Sequence, residues 1–162
     1  MDKKQNCLFT PIYLALGTNL GNREENMERA IKCIEKQIGT IFSQSAFYSS
    51  EPFGFESDNL FLNGVVGVCT ELLPNDLLSK TQSIEREMGR TTKSDQNGYS
   101  DRIIDIDILL YDHEVIDNDP TLVVPHPHMQ QRDFVLKPLA EIAPNFEHPV
   151  LKKTITELVE EL

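Results

Sequence analysis

Apolar residues recur along this chain with two periods, and the points where one period gives way to the other outline the elements. Pro11 to Leu16 is a short apolar run that ends in the turn-rich segment Gly17 to Asn22, which predicts a buried strand followed by a loop. Asn22 is placed to cap a helix, with Glu24 and Glu25 in a first turn that favours negative charge. Met27, Ala30, Ile31, Ile34 and Ile38 then follow at three- and four-residue steps, an amphipathic helix that Gly39 is expected to close. Thr40 to Ser49 reads as a second strand, Ser50 to Asn59 as a loop, and Phe61 to Leu72 as a third strand. Pro74 suits a first helical turn, and Leu77, Thr81, Ile84 and Met88 share one face of the helix behind it, which ends near Gly89. The polar, glycine-containing stretch Gly89 to Ser100 has no periodicity and is expected to be a mobile loop.

The next stretch, Asp101 to Tyr111, is aliphatic and β-branched, without glycine or proline, and predicts a strand. In a strand Asp105 and Asp107 project from one side, while Ile104, Ile106 and Ile108 line the other and enter a core. Two carboxylates so placed suit a hard cation, because Mg²⁺ is commonly held by one or two carboxylates together with substrate phosphates. The order strand, helix, strand, strand, helix, strand fits an α+β ferredoxin-like βαββαβ sheet with helices on one face. A C-terminal extension follows. It comprises a short strand near Glu114 to Ile116, a rigid Leu122 to Pro127, a helix over Gln131 to Ile142 that Pro138 should kink or break, and a last helix over Thr154 to Leu162.

Composition narrows the function classes. A chain of 162 residues with 40% hydrophobic and 25% charged residues is expected to form a single domain spanning 1–162. A formal net charge of −11 argues against nucleic acid as a partner, but not against a small polyanion held by clustered arginines and a metal. Cys7, Cys33 and Cys69 are widely spaced and odd in number, so free buried thiols are expected rather than a disulfide framework. Without a signal-peptide core or a membrane-length apolar run, a cytoplasmic protein with no membrane partner is expected. The chain also lacks a Gly-rich P-loop ending in Gly-Lys-Ser/Thr.

Cations are scarce, and Arg90, Lys93 and Arg102 surround the polar loop, while Arg132 follows His126-Pro127-His128. Guanidinium forks match phosphate oxygens. Arg86, between Glu85 and Glu87, reads instead as part of a solvated helix face. His126, held between two prolines, is open to reading as a phosphate donor, a metal ligand or a turn residue. On the residues alone, a ligand-binding regulatory module and a phosphotransferase using another acceptor both remain open.

The run Asp101-x-x-x-Asp105-x-Asp107, with Arg102 inside it, resembles the signature of the 6-hydroxymethyl-7,8-dihydropterin pyrophosphokinases of folate biosynthesis. Further stretches match that family in order: Tyr13 to Leu20, Phe47-Tyr48 with Pro52-Phe53-Gly54, Phe61-Leu62-Asn63, Glu85 to Arg90, Val124-Pro125-His126 and Arg132-Asp133-Phe134. The likeness runs from about Tyr13 to Pro144. It implies a monomeric ferredoxin-like enzyme that moves pyrophosphate from ATP, its co-substrate, to the pterin hydroxymethyl and leaves AMP. By the same resemblance Asp105 and Asp107 hold two Mg²⁺ ions, and Arg90 and Arg102 neutralise charge as the leaving bond breaks. Gln82, Glu85, Lys93, Ile108, His126 and Arg132 join Arg90 and Arg102 on the ATP side. Phe61 and Phe134 sandwich the pterin, Asn63 hydrogen-bonds its edge, and Ser50, Glu51 and Phe53, with Asp105, complete that contact. The chain departs from the family where Tyr99-Ser100-Asp101-Arg102 replaces a common Trp-x-Pro-Arg, where Phe61 replaces a tyrosine, and at Thr121, where some members carry arginine.

Overall fold

The computed structural model describes residues 7–51, 59–89, 103–118 and 121–162. The first strand, β1 (Thr10–Thr18), leads into helix α1 (Arg23–Gln37), whose first turn is capped by Asn22: its side-chain oxygen accepts the Glu25 N–H at 3.1 Å. Strands β2 (Gly39–Gln44), β3 (Tyr48–Ser50) and β4 (Phe61–Thr70) follow, then α2 (Pro74–Glu87) and β5 (Asp105–Tyr111). Behind them come a small hairpin of β6 (Ile116–Asn118) and β7 (Leu122–Val124), a 3-10 turn at Met129–Gln131, and helices α3 (Asp133–Ile142) and α4 (Ile155–Glu160).

The main sheet runs β2-β4-β1-β5, with β3 also on β4, and these strand pairs are antiparallel. That is the ferredoxin-like order the periodicity implies. Ile12, Leu14, Leu16, Val66, Ile106 and Ile108 send their side chains to one face, where α1 and α2 cover them with Met27, Ala30, Ile34, Leu77 and Ile84. The C-terminal extension supplies a second layer, because Tyr13, Ala15, Val65 and Leu109 on the opposite face pack under Leu136 and Leu139 of α3 and Ile155 and Leu158 of α4. Both faces of the sheet are therefore buried over much of their area. That explains why β1 and β4 read as nearly unbroken apolar runs.

Several expectations are revised by the structure. The second strand, expected over Thr40 to Ser49, is split: Ser45 donates its N–H to the Val65 carbonyl and accepts the Val65 N–H on its hydroxyl, both at 2.9 Å. A side chain thus does the work of a backbone carbonyl, and the ladder restarts only at Tyr48. Gly39 does follow α1, but close approach rather than a left-handed cap demands glycine there. A Cβ on it would lie 2.0 Å from the Cys69 carbonyl oxygen. At the end of α2, in contrast, Gly89 adopts φ +102° and donates to the Arg86 carbonyl. The short strand expected near Glu114 falls at Ile116–Asn118.

Pro138 sits buried inside α3 without ending it, since Val135, Leu136 and Leu139 anchor the helix on both sides of the missing N–H. Cys7 and Cys69 form a disulfide, with Cα atoms 5.6 Å apart, and Cys33 is the free thiol among the described cysteines. The antiparallel register sets Pro11 against Cys69, so the lead-in to β1 arrives beside that residue. Widely spaced cysteines reveal nothing of such a register.

Replacing Gly39 by alanine should cost more than about 2 kcal/mol of unfolding free energy, since the clash is with the backbone of Cys69 and Thr70, which cannot swing aside as a side chain can. Urea denaturation of Gly39→Ala against the unaltered protein measures it, and a loss under about 0.5 kcal/mol would contradict the packing described.

Candidate active site

Four strands contribute to one transverse row on the sheet face beneath α3. Asp105 of β5 lies opposite Gly17 of β1, Gly17 lies opposite Asn63 of β4, and Asn63 lies opposite Tyr48 of β3. The next row inward reads Asp107, Ala15 and Val65. Ala15 and Val65 belong to the core beneath α3 and α4. Cross-strand partners share a face, so Asp105 and Asp107 point the same way, and Ile106 and Ile108 enter the opposite core. The expected division of that strand holds, with both aspartates half-buried.

Gly17 clears the floor between the carboxylate and the amide. A Cβ there would sit 3.4 Å from Asn63 Oδ1 and 3.7 Å from the Phe61 ring. Asn63 itself is buried, and its Nδ2 donates to the Ser50 hydroxyl at 2.7 Å and to the Tyr48 carbonyl at 3.1 Å. Both amide hydrogens are thereby committed, which fixes the side chain with its carbonyl oxygen toward the open floor. Ser50 is half-buried, Glu51 exposed, and Phe61 and Phe134 are partly covered at the rim.

Beyond β7 the Val124–Pro125 peptide bond is cis, and the chain turns back onto β5 as His126 N–H donates to the Leu109 carbonyl at 3.0 Å. Burial first, then the positive charge of Arg132 and the nearby His128, push the His126 imidazole down from 6.5 to about 4, with the Asp105 carboxylate opposing them. Its Nδ1 accepts the His128 N–H at 3.2 Å, so the neutral ring carries its proton on Nε2 and presents a donor. Arg132 immediately precedes α3, and its guanidinium carbon lies 5.9 Å from the centre of the Phe134 ring. His126 thus lies within electrostatic reach of Asp105 on β5 and of Arg132 and His128 in the extension.

Glu85 and Gln82 stand elsewhere, on α2 at the outer side of β5. Glu85 accepts the Ile106 N–H at 2.9 Å, which ties the edge strand down between its two aspartates. Gln82 is exposed one turn earlier. Ile108 sends its side chain into the core under α1 and α2, so it can meet a ligand through its main chain alone. Arg90, Lys93, Arg102 and Phe53 lie outside the described residues, as do Tyr99 and most of the loop 89–100. Gly17 and the Tyr48 carbonyl escaped sequence reasoning. The first showed only as the start of the turn-rich segment Gly17 to Asn22, and the second left no side-chain signal.

Among the described residues, no group of three or more His, Cys, Asp or Glu side chains is arranged to hold a metal ion. Two carboxylates are too few for a closed site of the structural-zinc kind. They do suit Mg²⁺, which keeps several waters and draws its remaining oxygens from a phosphate-bearing ligand.

Residues 13–144 match the family described as 7,8-dihydro-6-hydroxymethylpterin-pyrophosphokinase. A 2-amino-4-hydroxy-6-hydroxymethyldihydropteridine pyrophosphokinase of Porphyromonas gingivalis is 49% identical over 85% of this chain and 93% of its own length. A protein of the same name from Aquifex aeolicus is 42% identical over 90% of this chain and 88% of its own. Among solved structures, the Plasmodium falciparum HPPK-DHPS superposes with a TM-score of 0.76 at 20% identity, covering 94% of this chain and 44% of that one, a likeness of fold.

In the ligand-free protein, His126 makes stability pH-dependent with a defined sign. A histidine held below its unfolded value contributes stability fully above about pH 6.5, lost as the pH falls from there to about 4. Unfolding free energies from urea titrations should therefore fall further between pH 7.5 and 4.5 for the unaltered protein than for His126→Asn, by on the order of 1–2 kcal/mol. Equal losses would show that the ring is not held neutral.

Proposed function

The chain belongs to the 7,8-dihydro-6-hydroxymethylpterin-pyrophosphokinase family, and on that premise we propose that its one domain, 1–162, transfers the pyrophosphoryl group of ATP to the hydroxymethyl oxygen of 6-hydroxymethyl-7,8-dihydropterin in folate biosynthesis. The observation that carries this reading is the row Asp105, Gly17, Asn63. A carboxylate and a fixed amide stand two strand spacings apart, about 10 Å, with glycine clearing the floor between them. A flat bicyclic ring fits that slot with its donor-bearing edge toward Asn63 Oδ1 and its hydroxymethyl arm toward Asp105. Phe61 and Phe134 then take the two faces of the ring, with Ser50, Glu51 and Phe53 at its rim.

Asp105 and Asp107 are the residues that would hold two Mg²⁺ ions. When bound, the ions supply charge neutralisation and alignment of the polyphosphate. The neutral His126 donates from Nε2 and Arg132 from its guanidinium to phosphate oxygens, which orients the chain of phosphates without a covalent enzyme intermediate. The hydroxymethyl oxygen bonds to the β-phosphorus as the bond from that phosphorus to the α–β bridging oxygen breaks. The electron pair leaves with AMP and the hydroxyl proton passes to solvent. The role of neutralising the charge that builds on the leaving oxygen is assigned to Arg90 and Arg102, with Lys93. Gln82, Glu85 and the Ile108 main chain serve the nucleoside end. Support for the last comes from strand alternation: Glu85 takes the Ile106 N–H on the outer edge of β5, so the Ile108 N–H opens to the same edge.

Incubation with ATP, Mg²⁺ and the reduced hydroxymethylpterin should yield AMP and a pterin diphosphate in equal amounts. ADP as the nucleotide product would replace this reading with a monophosphoryl kinase. Asp105→Asn and Asp107→Asn should each lose at least about a hundredfold in turnover with unfolding midpoints preserved, and full activity in both would remove the metal role. Phe134→Ala should weaken pterin binding by about tenfold and ATP binding by less than about twofold, measured by titration. Equal losses would deny the stacking role.

A further inference from the structure

Glu141 stands in the last turns of α3, seven residues and so two helical turns beyond Phe134, which places both on the same side of the helix. One of its carboxylate oxygens accepts the Ala46 N–H at 2.7 Å, and the other accepts the Tyr48 hydroxyl at 2.5 Å. These two bonds span the break between β2 and β3, where the ladder on β4 is interrupted. Tyr48 in turn offers its carbonyl to Asn63 Nδ2, and Ser50, at the other end of the same three-residue strand, offers its hydroxyl to that nitrogen. Ser50 also lies opposite Phe61. A single carboxylate therefore joins the helix that carries Phe134 to the strand that fixes Asn63 and flanks Phe61.

We propose that Glu141 is a positioning residue for the pterin half of the reaction. It clamps α3 to β3 so that the gap between the two rings and the direction of Asn63 Oδ1 are set together before the substrate arrives. The inference rests on the functional reading above. The contacts described for Glu141 run to Ala46 and Tyr48 and not to Asp105, Asp107, His126 or Arg132, so its loss should fall on one substrate. A strand held to its neighbour through only three residue pairs gains from this carboxylate an anchor on a second element, α3.

The test compares the full chain with Glu141→Ala, Glu141→Gln and Tyr48→Phe, reading KM for each substrate, kcat, and the unfolding midpoint. Glu141→Ala should raise KM for the pterin by about tenfold and change KM for ATP by less than about twofold, because a charge-assisted pair of bonds is lost on one side of the site. Glu141→Gln keeps an acceptor oxygen and should recover at least half of that loss on a logarithmic scale. Tyr48→Phe, which leaves the Ala46 bond, should fall between Glu141→Ala and the unaltered protein. An unaltered protein that turns over the pterin, with Glu141→Ala unchanged or both KM values raised equally, overturns the positioning role alone. An unaltered protein that does not use the pterin overturns the functional reading and this inference with it.

Discussion

A shift of β5 by a single residue against β1 would carry Asp105 and Asp107 into the core beneath α1 and α2 and turn Ile106 and Ile108 out toward α3. Burying two unpaired carboxylates and losing two apolar side chains from a packed core is prohibitive, so the register of this edge strand is locked by hydrophobic burial on the face away from the chemistry. The acidic pair owes its placement to isoleucines it never touches. Glu85 reinforces the lock from the outer edge by taking the Ile106 N–H, and on the inner edge β1 supplies Gly17 and Ala15, whose small side chains leave the aspartates room.

The same logic extends across the sheet. Gly17 permits an open floor only because its neighbours are held back. Asn63 has its amide hydrogens committed to Tyr48 and Ser50, and the loop leading to α1 is tied down as Asn26 Nδ2 donates to the Thr18 hydroxyl at 3.1 Å and the Leu20 carbonyl at 2.7 Å. Asn19 reaches the Asn59 carbonyl and Arg23 the Leu60 carbonyl, which fixes the chain as it enters β4. Polar side chains do here what a regular ladder does elsewhere, because a ligand floor cannot be filled with apolar packing and remain a floor. Preorganisation of this kind lowers the ordering cost at binding.

What the sequence discloses and what it conceals separate along physical lines. The faces of α1 and α2 were legible because a 3.6-residue period at Met27, Ile34, Leu77 and Ile84 admits one burial direction. The sides of Asp105 and Asp107 were legible because a two-residue period does the same for a strand. Ser45 was opaque: whether a serine hydroxyl replaces a backbone acceptor depends on Val65, twenty residues away. The Cys7–Cys69 bond was opaque for a related reason, being a consequence of how β1 lies on β4. Gly39 was read as the residue that closes α1, a local cause, when the constraint on it is a carbonyl of another strand. Glu141 was beyond reach, since its partners at Ala46 and Tyr48 lie 95 and 93 residues away. Contacts that follow from chain period can be read locally, and contacts that follow from register require the fold.

A chain with a formal net charge of −11 must still handle a triphosphate, and the arrangement around Asp105 indicates how. Among the described residues, Arg132 lies against Phe134 and acts on His126, which is kept neutral by burial and by Arg132 itself while the Asp105 carboxylate opposes that shift. A neutral imidazole donates a hydrogen bond but offsets none of the phosphate charge. The two carboxylates add to the repulsion unless divalent cations sit between them and the polyphosphate. Under the function proposed, the metal is therefore an electrostatic requirement of binding as well as of transfer, because without it the same face that positions the nucleotide would repel it.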